Sequence, residues 1–178
     1  MLKKRLTACV IVKDGRVVQS IGFKRYLPVG TLDVTVEFLN NWGIDEIVIL
    51  DMDATAQGRR PDYDRIARIS KKNFAPLAVG GGIRTVEDMR RLVHSGADKI
   101  VINTVALNRP GIISEAADVF GAQCIVVSID VRKNSDGKFE VYRDSARVAT
   151  GKDPVQWAKE VEALGAGEIF LNAVDRDG

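Results

Sequence analysis

Ser95-Gly96-Ala97-Asp98-Lys99-Ile100-Val101-Ile102 states the fold in miniature. A helix ends, a glycine caps it, and a charged residue soon after opens an apolar run. Glycine suits the position after a helix because it takes φ > 0 at little cost. The same grammar stands at Trp42-Gly43-Ile44-Asp45-Glu46-Ile47 and at Leu164-Gly165-Ala166-Gly167-Glu168-Ile169. The runs behind them, Ile47-Val48-Ile49-Leu50, Ile100-Val101-Ile102 and Ile169-Phe170-Leu171, are β-like. A helix that repeatedly feeds an apolar strand describes a parallel sheet with helices on its face.

Working outward from these stretches, the periodicity predicts six β-then-α units. The strands are Leu6 to Val12, Ile47 to Asp51, Pro76 to Val79, Lys99 to Ile102, Cys124 to Asp130 and Glu168 to Asn172. Leu32, Val36 and Leu39 space as one helix face, and a second helix runs from Pro61 to Lys72 with Ile66 and Ile69 inward. Thr85 caps a helix carrying Val86, Met89 and Val93, with Asp88 at its third position. Pro110 opens a helix with Ile113, Ala116, Ala117 and Phe120 on its inner stripe. Asn134-Ser135-Asp136-Gly137 is a turn between two short strands, and Asp153-Pro154 caps and opens the last helix, with Val155, Trp157, Val161 and Leu164.

Six such units in strict order fit most of a (β/α)₈ TIM barrel, for which about 250 residues is typical. An open doubly wound sheet fits the count as well. A coarser repeat favours the barrel: Cys9 to Gly15 resembles Cys124 to Gly137, and Glu46 to Asp53 resembles Glu168 to Asp175, roughly half a barrel apart. Residues 1–178 read as one domain, without a linker or a low-complexity segment.

Composition excludes several classes. Apolar residues make up 46% of the chain, which is globular, and a net charge of +2 from mixed signs lacks the basic bias of a charge-driven nucleic-acid binder. Lys3-Lys4-Arg5 and Arg90-Arg91 read as solvated faces. Cys9 and Cys124 lie beside apolar strands and read as buried free thiols. The single histidine, His94, sits at a helix end as a dipole partner, and without a second histidine or a CxxC no structural metal is expected. No apolar run is long enough to span a bilayer, and no signal h-region precedes the first strand, so the expected setting is cytoplasmic.

In barrels of this kind the site lies at the C-terminal ends of the strands. The polar residues there are Asp51 and Asp53, Gly80-Gly81-Gly82, Asn103 and Thr104, Asp130, and Asn172 with Asp175-Arg176-Asp177-Gly178. A glycine-rich turn before a helix offers backbone N–H groups to an anion; a tight turn that needs glycine for its dihedrals explains the triplet equally well. Asp130 ends an otherwise apolar strand, where desolvation raises a carboxyl pKa and suits acid/base work. A carboxylate held by loop amides is the alternative. The counterpart of Asp130 in the first half is Ile11. At the opposite strand ends stand Arg5, Glu46, Lys99 and Glu168, which form either a converging charged ring or the stabilising network usual for that face.

These residues resemble the cyclase subunit of imidazole glycerol phosphate synthase, HisF. The resemblance runs from Met1 to Gly178 and rests on Val12-Lys13-Asp14-Gly15-Arg16-Val17-Val18, Val79-Gly80-Gly81-Gly82-Ile83, Ile102-Asn103-Thr104 with Ala106, Gly167-Glu168-Ile169 and Asp175-Arg176-Asp177-Gly178. It implies a barrel of the HisA/HisF type whose last quarter lies outside this sequence. It implies a HisH-like glutaminase partner in a heterodimer, and ammonia passing through the barrel to a phosphorylated or sugar-nucleotide substrate, without a cofactor. In the family this lyase-type reaction belongs to histidine biosynthesis. On the same basis Arg5, Glu46, Lys99 and Glu168 are the ammonia gate, Asp98 faces the glutaminase and Asp130 is the catalytic acid. Gly82, Asn103, Thr104, Asp177 and Gly178 are phosphate-side positions, and Asp51 and Ser145 substrate-side ones.

Three positions depart from that pattern. Ile11 stands where the family has its other catalytic aspartate, Gln19 where it has a substrate-loop lysine, and Asn172 where it has a threonine. An isoleucine neither accepts a proton nor holds a substrate hydroxyl. The departures, with Phe23-Lys24, Pro61-Asp62-Tyr63 and Ile169-Phe170-Leu171-Asn172, resemble a HisF-like branch of surface-polysaccharide clusters associated with acetamido-to-acetamidino sugar modification. Three functions therefore stand: ammonia transfer to a sugar-linked acceptor, the histidine-pathway cyclase, and an inactive scaffold that binds a glutaminase.

Overall fold

In the computed structural model the described residues are 4–178, so Lys3 of the basic cluster and Met1, where the resemblance starts, lie outside them. The chain forms two compact units. The first comprises residues up to Gln19 with Leu27–Ile83 and Glu87–Ile100. The second comprises Ser20–Tyr26, Arg84–Val86 and Val101–Gly178.

The first unit is built on β1 (Thr7–Lys13), which turns at Asp14-Gly15 into the antiparallel β2 (Arg16–Ile21), followed by β3 (Arg25–Gly30). Then come α1 (Leu32–Asn41), β4 (Glu46–Asp51), α2 (Tyr63–Ser70), β5 (Leu77–Gly80), α3 (Val86–His94) and the start of β6 (Lys99–Ile102). β1 pairs parallel with β4 (Cys9 opposite Val48), and β4 with β5 (Ile49 opposite Val79). The start of β6 follows β5: Asp98 N–H donates to Leu77 O at 2.8 Å, and the Asp98 carboxylate accepts from Leu77 N–H at 2.8 Å. In a doubly wound sheet the fourth strand returns beside the first. Here it continues past the third, which is barrel order.

The second unit contains the end of β6, α4 (Thr104–Asn108), α5 (Gly111–Phe120), β7 (Ile125–Lys133), β8 (Phe139–Arg143), β9 (Val148–Ala149), α6 (Pro154–Ala163) and β10 (Glu168–Ala173). β7 pairs parallel with β10 (Asp130 opposite Asn172) and runs on into an antiparallel pairing with β8 (Asp130 opposite Tyr142). Asp153 caps α6 as its sequence predicts, its carboxylate accepting from Val155 and Gln156 N–H.

Each unit therefore contains a parallel strand extended into a hairpin, and the repeat reaches single hydrogen bonds. Asp53 Oδ2 accepts from Asp14 N–H at 2.6 Å, and Asp175 Oδ2 accepts from Lys133 N–H at 2.8 Å. In both, a carboxylate after one strand fastens the hairpin that extends another.

Several local expectations change. β2, β3 and α4 are not visible in the periodicity. β7 outruns Asp130 by three residues. On α3 the buried positions are Asp88, Met89 and Leu92 rather than Val93, and on α5 Ile112 joins Ile113 and Ala116. On β10, Ile169 is 43% and Leu171 66% exposed, although the strand reads as wholly apolar. Both cysteines are free thiols, but neither is buried: Cys9 is exposed and Cys124 half-buried.

Candidate functional site

At the N-terminal strand ends of the first unit, Glu46 is buried at 4% exposure. Lys99 Nζ lies 2.9 Å from Glu46 Oε1, and Arg5 Nη1 lies 3.9 Å from Oε2. Glu46 and Lys99 are the first residues of β4 and β6, so strand starts alone bring them to this face. Asp98, exposed, is spent on β5 as described above, which gives it a structural task beside the interface role the resemblance implies. Glu168, half-buried, opens β10 in the second unit.

The C-terminal ends of the first unit hold a second charged group. Lys13 Nζ lies 3.1 Å from Asp53 Oδ1, and its pKa is raised, chiefly by the hydrogen bond to Asp53. Burial pushes the Asp53 carboxyl up, but the Asp14 N–H and Lys13 outweigh it and the net shift is downward. Asp51 Oδ1 accepts from Asp53 and Ala54 N–H, and Arg59 lies 3.2 Å from Oδ2. Below these, a cleft of about 420 Å³ opens between Val12, Leu32, Ile49, Ile66 and Val79, with Arg59 on its rim.

Gly81 and Gly82 are demanded by close packing. Both have positive φ; a Cβ on Gly81 would stand 2.2 Å from Asp51 O, and one on Gly82 2.6 Å from Arg59 O. Gly82 N–H donates to Thr55 Oγ1 at 3.3 Å. The tight-turn reading of the triplet therefore holds, and the Gly82 amide already has an acceptor. Neither the sequence spacing nor the resemblance pointed to a cluster of Arg60, Tyr63 and Asp88. Asp88 is fully buried, with Arg60 Nη1 and the Tyr63 hydroxyl each 2.9 Å from Oδ1. Burial and then the Asp88 carboxylate raise the Tyr63 pKa. These two partners of Asp88 lie 28 and 25 residues upstream, Arg60 before α2 and Tyr63 at its start, separations no local pattern carries.

In the second unit Asp130 is 6% exposed. Asn172 Nδ2 donates to Oδ1 at 3.0 Å, Ser128 Oγ lies 3.4 Å from Oδ1, and Asn103 Nδ2 lies 3.3 Å from Oδ2. Burial raises the Asp130 pKa, and the Asn172 and Ser128 bonds offset part of that rise. Asp130 is thus desolvated, and it is held by the Asn172 and Asn103 amides and the Ser128 hydroxyl rather than by the loop N–H groups of the alternative reading. Asn172, read as a departure, is one of its holders.

Thr104 follows β6 and faces Asp144, to which its hydroxyl is bonded at 3.2 Å. Ser145 lies in a left-handed run, Asp144, Ser145 and Ala146 having φ of 56°, 57° and 58°. Asp177 Oδ2 accepts from Ser20 Oγ at 2.6 Å and from Phe23 N–H at 2.9 Å, while Gly178 packs on Ile21. Asp177, assigned by resemblance to the phosphate side, thus fastens the Ser20–Phe23 segment. Among the described residues no cluster of three or more His, Cys, Asp or Glu is placed to hold a metal ion.

The sequence pattern of the histidine biosynthesis protein family matches residues 5–178. The chain belongs to that family. Its alternating β/α units and parallel strands are a partial TIM barrel of the HisA/HisF type. A protein of Vibrio vulnificus (strain YJ016), named provisionally as imidazole glycerol phosphate synthase subunit hisF2, is 47% identical over 179 residues. That match covers all of this chain and 65% of the relative, so the chain spans just under two thirds of that protein's length. No helix among the described residues is long and apolar enough to cross a membrane.

Proposed function

We propose that this family member is the ammonia-using synthase subunit of an imidazole glycerol phosphate synthase type of glutamine amidotransferase. In this reading a HisH-like glutaminase docks at the N-terminal strand ends. Ammonia passes Lys99 and Glu46, and Asp130 exchanges protons with an acceptor at the C-terminal ends. The observation that carries it is the buried Lys99–Glu46 pair. Burying two charges costs several kcal/mol each, and an apolar pair of similar volume is often as stable. An ion pair retained there, in a family whose relative is named as a synthase subunit, supports a gate.

The acceptor has two readings. The relative's name supports the histidine-pathway cyclase, whose acceptor in the family is a bis-phosphorylated ribulosyl compound. Ile11 supports a sugar-linked acetamido acceptor: it lies in the first strand opposite Leu50, and it has no proton to give. Losing one general acid or base costs about 10²–10⁴-fold in rate.

The test is a paired assay of the full-length protein with its glutaminase and glutamine. One arm supplies the ribulosyl substrate and follows imidazole glycerol phosphate; the other supplies an acetamido sugar nucleotide and follows the acetamidino product by mass. Product in the first arm alone makes the chain a cyclase that tolerates Ile11. Product in the second alone assigns the sugar reaction. Glutaminase stimulation with neither product leaves a binding scaffold and removes the synthase reading.

A further inference from the structure

Asp144 belongs to no motif, yet it ends a chain of hydrogen bonds that begins at Asp130. Asn103 Nδ2 donates its two protons to Ser128 O (3.1 Å) and Asp130 Oδ2 (3.3 Å). The amide is thus fixed in plane, and its Oδ1 points away from Asp130 toward Thr104 Oγ1, 3.4 Å distant. Thr104 Oγ1 also lies 3.2 Å from Asp144 Oδ1 and accepts from Asp144 N–H at 3.2 Å. A threonine hydroxyl has one proton. Two acceptors compete for it, the Asn103 carbonyl and the Asp144 carboxylate. The carboxylate is nearer and charged, and charge-assisted hydrogen bonds are the stronger kind, so the proton goes to Asp144.

The carboxylate is itself held for this purpose. Arg143 Nη1 lies 3.2 Å from Asp144 Oδ2, and Arg147 Nε donates to Asp144 O at 2.8 Å. Asp144 opens a left-handed run of three non-glycine residues, a conformation that costs each L-residue roughly 1–2 kcal/mol. Such strain persists where surrounding structure over-determines it, and it clusters at functional sites.

We propose that Asp144 is a positioning residue for Asp130, acting by drawing the Thr104 proton away from Asn103. Were that proton given to Asn103 Oδ1, the amide would be polarised and its Nδ2–H would donate more strongly to Asp130, since linked hydrogen bonds reinforce one another. A stronger donor favours the carboxylate form. With Asp144 in place the amide stays a weaker donor, and Asp130 keeps its proton to a higher pH. The ionisable groups on other elements packed against β7 are Glu140, Tyr142 and Arg143 on β8, Glu168 on β10, and Asp175 and Arg176 after β10. Arg132 follows on β7 itself and pairs with Asp175. Helices α5 and α6 also pack on β7; their charged residues, Glu115, Asp118, Lys159, Glu160 and Glu162, are exposed or half-buried. Of these groups Arg143 joins the hydrogen-bond chain, at Asp144 Oδ2.

The inference rests on the proposed role of Asp130 only for its consequence in catalysis, because its test reads the carboxyl group directly. The Asp130 ¹³C carboxyl resonance, assigned with Asp130→Asn, is titrated in the full chain. Asp144→Gly and Asp144→Asn both suit φ of +56°, so both keep the loop. Each removes the charge, but only the glycine frees the Thr104 proton, since an asparagine Oδ1 still accepts it. The Asp130 midpoint is expected to fall in both variants and to fall further in Asp144→Gly. With Thr104→Val added, the extra fall disappears. Equal midpoints in the glycine and asparagine variants, or an extra fall that survives Thr104→Val, would overturn the proposal. Failure of both acceptor assays would remove the synthase reading and leave this result standing.

Discussion

Lys99 Nζ sits 2.9 Å from Glu46 Oε1, with side chains 12% and 6% exposed. The two residues open strands whose only relation in the sequence is a shared position after a helix-capping glycine. Breaking a buried pair by removing one partner costs about 3–5 kcal/mol, whereas replacing both with apolar groups of similar volume is often neutral. Lys99→Met is therefore expected to lower unfolding stability by up to about that amount, with Arg5, 3.9 Å from Glu46, offsetting part of the loss. Lys99→Met with Glu46→Leu should recover most of it. Urea denaturation checks both, and a double variant as weak as the single would remove the pair's special status.

Asp130 links pH to stability with the sign opposite to that of a salt-bridged carboxylate. Its folded pKa is above the ordinary 3.8, with burial the first cause. The folded state therefore holds this proton more tightly than the unfolded state, and the contribution to stability falls as pH rises from 3.8 through the raised value. Above that value the penalty is constant. Asp53 runs the other way: its lowered pKa contributes stability above 3.8 that is lost as pH falls through the folded value. Thermal melts across this range should show the wild-type curve falling relative to Asp130→Asn as pH rises. The same variant should lose about 10²–10⁴-fold in turnover with the acceptor.

Gly82→Ala should be costly and Gly111→Ala cheap. At Gly82 an added Cβ meets Arg59 O at 2.6 Å and Ala54 Cβ at 2.9 Å, with φ at +73°. The carbonyl is backbone and yields only with the whole β4–α2 loop, so a loss of about 1–3 kcal/mol is expected. At Gly111, the first residue of α5, nothing lies within 4 Å. There alanine should be neutral or better by up to about 1 kcal/mol, because glycine is the poorer helix former. Chemical denaturation of the two variants makes the comparison.

Ala146→Gly should stabilise. Ala146 is buried with φ of +58°, an arrangement that costs an L-residue roughly 1–2 kcal/mol. Glycine removes that strain and loses about 0.5–1 kcal/mol to backbone entropy. The expected net gain is about 0.5–1 kcal/mol, read as a higher melting temperature. A destabilised variant would mean that the Ala146 methyl packs better than its backbone is strained.

Much of the fold is legible because its signals are local. The Gly43, Gly96 and Gly165 caps, the apolar strands behind them and the Asp153-Pro154 start each need only a few neighbouring residues to be read. The hairpin strands β2 and β3 escaped because the stretch around Gly22, Pro28 and Gly30 gives no clean alternation, and α4 is a five-residue turn. The site is less legible. Asp130 stood out as a lone carboxyl closing an apolar strand, and Glu46 and Lys99 as charges opening others. Asp88, Arg60 and Asp144 did not, since each is defined by a partner 25 or more residues away.

The sequence by itself determined the order of the β/α units and which end of each strand carries acids, bases and glycines, because helix caps and strand periodicity are set by nearest neighbours. Only the tertiary structure decided what those groups do for one another. It committed the Gly82 amide to Thr55, Asp177 to the Ser20–Phe23 segment and the Thr104 proton to Asp144. Hydrogen-bond valence is the physical reason: each donor has a fixed number of protons, and which acceptor receives one depends on distance and charge across the folded chain.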